Sequence, residues 1–538
     1  MILSKTDPIP DLRSLPLHRR LALGSLNQVI GLGIQFAGQL LLVPLFLMHM
    51  GSPLYGDWLA LFAISTSIAF LDIGFQSHYI TLLNRLWSQN RFDEFLAAFH
   101  SVTVAFAVLS GLVSLAISSS PFWIHWPTIL KLSGQTNWEA AWVITLCTAA
   151  TLANGYAAIV GGLYACLDLH HRHTSIMNLC KLLTLLLTAT AILVFSTPFS
   201  AALAFFAGSI AALLIPLLGI RRSPMCAWLG IRHASFSHLA SQSRDLLFFF
   251  LPPLATVMLT SGTATITTIA LGAALLPAFV VPRTIYLFSR VVLQAMNTPL
   301  WIEVSKLTPN SSEDIKLRFK LLRKYAYCAA HLSACAAAIL AVHSGAILRV
   351  WTGDRIHVSP SATAGFAIFM WSTGLWFTPQ VFLLAANRHQ TAGFLHLLSG
   401  LATLASALFL VPRYGIDGAA WSLVVGNCFL AGAILPLTCN RNGVQSPRLA
   451  VSVISSSAVL FILSFILLDS FSLLFHSVSV IALFSQLALS ALLCVPCFLL
   501  FLPQDIRADF WRLLITLIPP PLKHGANSAE SSINYGNR

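Results

Sequence analysis

The sequence predicts an all-α polytopic membrane protein with about 14 transmembrane helices, arranged as two six-helix lobes in parallel repeat with two appended C-terminal helices. Composition, the length of the apolar runs and a one-sided distribution of basic residues predict this class. Hydrophobic residues make up 57% of the 538 residues and charged residues only 9%, whereas soluble domains carry about 25% charged residues. So few charges could not cover a protein surface in water, which excludes a soluble globular fold.

The apolar runs reach the roughly 20 residues that a spanning helix needs. The predicted spans are 21–48, 56–75, 97–118, 140–166, 175–195, 201–220, 246–270, 274–301, 325–345, 363–386, 391–411, 417–437, 449–468 and 478–502. The first run is too long for the apolar region of a cleavable signal, so it is predicted to be the first span. The nearly continuous run 246–301 is divided at Gly272. Kinks are expected there because proline removes a helix hydrogen bond, and the prolines concerned are Pro252, Pro253, Pro277 and Pro282.

The basic residues predict the orientation. With the N-terminus inside, 24 of the 31 Lys and Arg fall in cytoplasmic segments, 4 fall in outer loops and 3 lie within spans. This asymmetry follows the positive-inside rule and places both termini in the cytoplasm. The net charge of +13 is therefore no sign of nucleic-acid binding, which would concentrate basic residues in one domain.

An internal repeat predicts the domain organisation. Gly51 and Gly272 begin equivalent turns 221 residues apart, since 272 − 51 = 221, and a second match at an offset of 216 opens the fifth and eleventh spans. Six spans per half give both halves the same orientation, so a substrate site is expected between them. The predicted domains are 1–220, the N-lobe; 221–245, a connecting loop; 246–440, the C-lobe; 441–505, the appended spans; and 506–538, a cytoplasmic tail.

The segment 303–324 is predicted to form a separate basic amphipathic helix on the inner leaflet, starting near Ser311 or Ser312. Its expected role is orientation and anchoring, without chemistry.

One stripe in the eighth span predicts a polar cavity. Arg283, Arg290, Gln294 and Asn297 are spaced by 7, 4 and 3 residues, which places them on one helical face. The alternatives are pairing of the arginines with acids on neighbouring helices, or snorkelling to an interface. Arg290 is expected to hold an anionic group in the cavity, with Arg283 one step along the same path.

Further polar residues are weaker candidates for the cavity. Gln28, Gln35 and Gln39 form a stripe in the first span, for which interhelical hydrogen bonding is an equally good explanation. Asp72 could pair with a cavity arginine or cap the end of the second span. Lys181 could line the cavity or snorkel from the fifth span.

The signs of the embedded charges favour an anionic ligand. Three basic residues lie within spans, against Asp72 as the one clearly embedded acid of the 18. A cationic cavity attracts phosphate or pyrophosphate, because the forked guanidinium group matches phosphate oxygens. It would repel a cationic drug.

Two groups of potential metal ligands are interpreted as structural. Cys494 and Cys497 match C-x-x-C but lie inside an apolar helix, where small buried hydrophobes are the expected role. His170, His171 and His173 could bind metal, but a polar loop between spans explains them more simply. No cofactor or metal is expected.

Several motifs resemble those of a transporter family. The turn Met50–Trp58 is similar to Leu-Gly-x-x-x-Tyr-Gly-x-Trp, with Met50 in place of leucine, and 71–74 is similar to Leu-Asp-Leu-Gly. Further resemblances lie at 297–301, 348–353 and 411–420, whereas the second turn, at 270–274, departs from the pattern. The chain resembles the lipid-linked oligosaccharide flippases of O-antigen and exopolysaccharide synthesis, in the multidrug/oligosaccharidyl-lipid/polysaccharide (MOP) exporter superfamily. The resemblance covers spans one to twelve.

The resemblance implies two lobes around a central cavity and alternating access. The implied cargo is an undecaprenyl-diphosphate-linked oligosaccharide repeat unit, which crosses the bacterial inner membrane for surface polysaccharide synthesis. The implied partners are this lipid-linked substrate, membrane lipids, a polysaccharide polymerase and a chain-length regulator.

Three other functions remain open at this point. A cation-coupled multidrug exporter of the same superfamily would favour acids in a lobe cavity, and these are scarce. A lipid II flippase would share the span count and a cationic cavity. A membrane enzyme of lipid-linked sugars would want paired carboxylates or a large outer loop with catalytic residues, and neither is evident.

Overall fold

The computed structural model describes residues 17–69, 73–167, 169–221, 228–305, 307, 311–386, 388–441, 447–472 and 479–509. About 90% of the structure is helical, and the described residues contain no strand. The protein is therefore an all-α polytopic membrane protein, as the sequence predicts.

Eight α-helices are described in the first half of the chain. They are α1 (Leu17–His49), α2 (Gly51–Ala69), α3 (Ile73–Ser88), α4 (Phe92–Ser118), α5 (Trp126–Leu130), α6 (Asn137–Cys166), α7 (His170–Phe195) and α8 (Pro198–Arg221). The second half continues with α9 (Phe236–Val257), α10 (Thr263–Leu271), α11 (Pro277–Ser305), α12 (Ser312–Thr352), α13 (Pro360–Trp376), α14 (Pro379–Ala385), α15 (His389–Arg441), α16 (Pro447–Ser472) and α17 (Val480–Phe501).

The predicted spans fall on helices in the described part of the chain. In the described part of the chain, twelve helices are long and apolar enough to cross a membrane. One of the twelve, His389–Cys439, is two helices in succession, because Gly415 interrupts it with φ 60° and ψ −133°. The span predicted at 56–75 falls on α2 and α3, which are not among the twelve.

The turns at Gly51 and Gly272 lie at one end of the bundle, which we call the Gly51 end. Both glycines adopt positive φ, 74° and 97°, a conformation that costs glycine little because it has no Cβ. The backbone conformation of these turns therefore explains the glycine at both positions.

The region 246–301 is divided into two spans at Gly272, as expected. The irregular helical turn within it lies at 258–262 and not at the prolines. α9 runs through Pro252 and Pro253, and a π-helical turn, Met258–Gly262, joins it to α10. The kink expected at Pro277 is wrong. Pro277 is the first residue of α11, a position where its missing N–H is not needed.

The basic segment 303–324 does not form a separate surface helix. Its predicted start is correct, because the Ser311 side chain accepts a hydrogen bond from the Asp314 backbone N–H at the N-terminus of α12. The helix then continues to Thr352 for 41 residues, or about 62 Å. No proline interrupts this stretch, so nothing ends the helix before the ninth span.

The histidine cluster is helical, which corrects the expectation of a polar loop. His170, His171 and His173 form the first turn of α7, and His173 is buried against Gly161 with a ring nitrogen 3.2 Å from the Ala157 carbonyl oxygen. Cys494 is buried with Cys335 in an apolar cluster, which agrees with a packing role.

We call α1–α8 the first lobe and α9–α15 the second lobe, and the described part of the segment that connects them packs against the first lobe. The Trp228 ring makes edge-to-face contacts with Trp87 and Phe95, and its carbonyl oxygen lies 3.0 Å from a ring nitrogen of His100. The helix that follows, α9, begins ten residues before the predicted boundary at 246. The polar stretch 236–245 contains no proline or glycine that would prevent helix formation.

Candidate functional site

A cavity of about 620 Å³ lies between the two lobes. From the first lobe, α1, α2, α7 and α8 line it; from the second lobe, the π-helical turn, α10 and α11 line it. This is the position that the predicted parallel repeat assigns to a substrate site.

The described lining of the cavity is cationic. It contains Arg283 and Lys181, together with the amides of Gln35 and Gln39, and no carboxylate among its described residues. Lys181 is the twelfth residue of α7, near the middle of that 26-residue helix, and its side chain is exposed. Two positive charges therefore face one space without an acid in the described lining.

Arg283 is held in place by few contacts. Only 7% of the residue is exposed, one Nη donates to the Thr260 carbonyl oxygen at 2.7 Å, and the guanidinium carbon lies 4.9 Å from the centre of the Phe279 ring. The buried Nε has no hydrogen-bond partner. The π-helical turn thus orients the guanidinium group and leaves donors available for an anion.

Hydroxyl groups extend this polar surface. Thr66 of α2 and Ser261 of the π-helical turn lie 2.8 Å apart, oxygen to oxygen, and join the two lobes. The other threonines of the lining are Thr184, Thr188, Thr260 and Thr284. Such groups can hydrogen-bond either to phosphate oxygens or to sugar hydroxyls.

Aromatic rings line the cavity toward the Gly51 end. The ring of Phe46 stacks on those of Tyr55 and Trp58, with centres 5.0 and 5.6 Å apart, and Phe62 stacks on Trp58. All four side chains line the cavity. This side of the cavity offers flat apolar faces instead of charge.

A second pocket of about 480 Å³ surrounds Arg290. The guanidinium carbon lies 5.5 Å from the Trp376 ring centre and 5.7 Å from that of Phe377. Gln294 and the buried His396 also line this pocket, and its described lining contains no carboxylate. All of its lining comes from the second lobe except Leu32 of α1.

The structure therefore separates the residues predicted to share one cavity. It brings Arg283 together with Gln35 and Lys181, whereas Arg290 and Gln294 line the second pocket. Asn297 lines neither pocket; it is 4% exposed and donates to the Phe377 carbonyl oxygen at 3.3 Å.

The two remaining candidates stand apart. Gln28 is exposed on α1 and lines neither pocket. Asp72 lies outside the described residues.

Sequence reasoning missed the hydroxyl groups and His396. Thr66 and Ser261 look unremarkable in apolar spans, where such hydroxyls often bond to their own helix. His396 did carry a usable signal, because it is an ionisable residue inside a predicted span.

The fold is similar to that of solved membrane transporters. The structure of the lipid II flippase MurJ in an inward closed conformation matches with a TM-score of 0.60 and 12% identity, covering 93% of this chain and 100% of that chain. An inward-facing multidrug resistance MATE family transporter of the MOP superfamily matches with a TM-score of 0.56 and 13% identity, covering 81% and 96%. A mutant of the Vibrio cholerae MATE transporter VcmN matches with 0.53 and 13%, covering 80% and 98%.

No family model and no curated protein sequence matches the chain. The likeness at these identities concerns the fold alone, which is similar to the folds of MurJ and of the MATE transporters. The structural neighbours are transporters and flippases rather than enzymes.

Proposed function

We propose that the chain translocates an undecaprenyl-diphosphate-linked oligosaccharide across the bacterial inner membrane by alternating access, for O-antigen or exopolysaccharide synthesis. The observation that supports this cargo most is the cavity between the lobes, which holds Arg283 and Lys181 and no carboxylate in its described lining. In this proposal a polysaccharide polymerase and a chain-length regulator use the delivered units.

The cavity chemistry fits a diphosphate bearing a sugar. Arg283 presents a guanidinium group whose Nε lacks a partner, and this geometry suits bidentate contact with phosphate oxygens. The hydroxyl groups and the aromatic faces suit the sugar. A volume of about 620 Å³ is within the usual range of ligand pockets, roughly 300–1,000 Å³, and the prenyl chain would remain in lipid.

Arg290 is proposed as a second station for the same anionic group. Seven residues separate it from Arg283 on α11, which corresponds to about 10.5 Å along the helix. The Trp376 and Phe377 rings position its charge. An anion leaving Arg283 toward the end opposite Gly51 would meet Arg290 next.

The alternatives differ in the charge that they require. A cation exporter needs acids where this cavity has Arg283 and Lys181. An enzyme of lipid-linked sugars needs catalytic acids or bases near the substrate, and the described linings of both pockets lack carboxylates. A lipid II flippase shares the chemistry of a prenyl diphosphate and differs only in the sugar and peptide.

Transport into proteoliposomes tests the proposal. Purified protein would be supplied with three probes: a short undecaprenyl-diphosphate oligosaccharide, lipid II and a lipophilic cationic dye. We expect transport of the oligosaccharide, a loss of about tenfold to a hundredfold in Arg283→Ala and a smaller loss in Arg283→Lys. Arg413→Ala is the matched control, because the Arg413 guanidinium group bonds to the carbonyl oxygen of Phe409 and lies over its ring, on the same helix, and lines neither pocket. Transport of the dye alone, or of lipid II alone, would overturn the proposed cargo.

The proposed orientation has its own test. Both termini are proposed to be cytoplasmic, so a cysteine placed after Asp469 should react with an impermeant maleimide added outside, whereas one placed after Lys523 should not. Labelling of the second site from outside would contradict the orientation.

A further inference from the structure

Four cations lie in or beside the loops at the Gly51 end, the side that the positive-inside rule keeps poor in Lys and Arg. Two of them act within their own lobe. Arg349 lies 3.7 Å from an acid in the loop that follows its helix, and Arg413 donates to a carbonyl oxygen of its own helix. The other two, Lys131 and Arg355, reach from one lobe to the other.

Lys131 extends from the first lobe to the second. Its Nζ donates to the Ala270 carbonyl oxygen at 2.7 Å, in the last turn of α10. Carbonyl groups in a last helical turn lack a donor within the helix, and a cation there also interacts favourably with the helix dipole. The loop is fixed in position by Asp57 of α2, whose carboxylate accepts from the backbone N–H groups of Ser133 and Gly134 at 2.9–3.1 Å.

Arg355 makes the reciprocal contact from the second lobe to the first. One Nη donates to the carbonyl oxygen of Leu47, in the last turn of α1. Nearby, Trp351 Nε1 donates to the Leu40 carbonyl oxygen at 2.9 Å. The usual donor to that carbonyl would be the residue four positions later, which is Pro44 and has no N–H. The second lobe thus satisfies two free carbonyl groups of α1.

The two cations occupy equivalent loops of the repeat. Lys131 lies between the third and fourth spans and Arg355 between the ninth and tenth. Their separation, 355 − 131 = 224, is close to the 221 that separates Gly51 from Gly272. Each cation precedes an apolar residue, Leu132 or Ile356, that packs in a core cluster shared by both lobes.

We propose that Lys131 and Arg355 form a reciprocal latch that holds the Gly51 end closed and releases when the cavity opens there. Each cation caps the first transmembrane segment of the opposite lobe, so separation of the lobes must break both contacts. Phe46 lines the cavity while its neighbour Leu47 accepts from Arg355, which places the latch at the cavity rim. Water can replace the cations at the released carbonyls, so the latch is reversible. The inference rests on the alternating access of the proposed function but not on its cargo.

Distances between spin labels test the latch without any cargo. Labels would be attached to cysteines replacing Trp138 in the first lobe and Tyr414 in the second, both exposed at the Gly51 end, in a background without the ten native cysteines that retains its thermal stability. Pulsed electron spin resonance on detergent-purified protein then reports how far apart the two lobes are at this end.

We expect Lys131→Met with Arg355→Met to at least double the long-distance fraction, with smaller increases in the single variants. Arg349→Met is the matched control and should leave the distribution unchanged. Gly56→Leu is the positive control, because a Cβ at Gly56 would collide with the Ala273 carbonyl oxygen across the lobes. If Gly56→Leu lengthens the distance and the double variant does not, the latch is wrong, whereas the proposed cargo would still stand or fall with the transport assay.

Discussion

Two arginines on α11, two helical turns apart, lie in different surroundings. Arg283, near the Gly51 end, faces a cavity built by both lobes and bonds to the carbonyl oxygen of Thr260. Arg290, two turns further on, faces a pocket built almost entirely by the second lobe and lies against the Trp376 and Phe377 rings. A motion of one lobe against the other would change the surroundings of Arg283 much more than those of Arg290.

This difference suggests different roles along one helix. Arg283 lines its cavity together with polar groups of both lobes. The contacts of an anion bound there therefore depend on whether the lobes have closed around it. Arg290 keeps its aromatic neighbours within a single lobe. We therefore interpret Arg283 as the main anion-binding residue and Arg290 as a second residue that the anion contacts on its path.

The largest expected effect follows from Arg283→Ala. A hydrogen bond to a charged group contributes roughly 1.5–3 kcal/mol, which corresponds to about a tenfold to a hundredfold change. Transport in proteoliposomes should fall by that factor in Arg283→Ala. Arg283→Lys should retain part of the transport activity, because the positive charge remains while the forked guanidinium group is lost. If Arg283→Ala transports at the wild-type rate, Arg283 is not the main anion-binding residue.

Arg290→Ala should reduce transport less, by about tenfold, while the protein remains inserted. The rival explanation is a structural ion pair with Asp72, which lies outside the described residues. The double variant Arg290→Asp with Asp72→Arg separates the two explanations. If the double variant recovers wild-type transport, Arg290 and Asp72 form a structural ion pair. The proposed anion-binding role of Arg290 would then be wrong.

Asn297→Ala should affect stability and spare transport. Asn297 is buried and donates to the Phe377 carbonyl oxygen, and leaving that acceptor unpaired costs about 1–3 kcal/mol. A lower thermal unfolding midpoint with unchanged initial transport rates is the expected result. A transport defect at normal stability would instead support the predicted role of Asn297 in the substrate cavity.

The smallest effect is expected at the basic start of α12. Arg323 forms two 3.0 Å hydrogen bonds with Asp505, but these side chains are 37% and 57% exposed, and exposed ion pairs contribute only about 0–1 kcal/mol. Arg323→Gln should leave both transport and stability nearly unchanged.

Neutralising Lys316, Lys320 and Lys324 together should alter insertion or expression more than transport per molecule. Lost transport at normal protein levels would show that this segment has a functional role.

Much of the fold could be predicted because the bilayer imposes strong local constraints. Runs of apolar residues predict the spans, and Gly272 predicts the division between α10 and α11, because a glycine with positive φ ends the helix there. The continuity of α12 was missed because basic residues indicate a membrane surface, whereas the absence of a helix breaker decides where the helix ends.

The candidate site was predicted only in part. Helical periodicity groups Arg283, Arg290 and Gln294 on one side of α11, and each of them lines one of the two pockets. It cannot indicate which lobe covers each part of that side, because the covering residues are distant in sequence. For the same reason the contact of Arg283 with the π-helical turn, and those of Lys131 and Arg355 across the lobes, become visible only in the structure.

The central claim is that Arg283 recognises the diphosphate of a lipid-linked saccharide in the cavity between the lobes. The most direct measurement compares dissociation constants of the purified protein for a prenyl diphosphate saccharide and for the matching prenyl monophosphate saccharide. We predict that the wild type prefers the diphosphate by at least about tenfold, as expected for one charged hydrogen bond, and that Arg283→Ala loses this preference while Arg413→Ala keeps it. Equal affinity of the wild type for the two lipids, or a preference that survives in Arg283→Ala, would contradict the account.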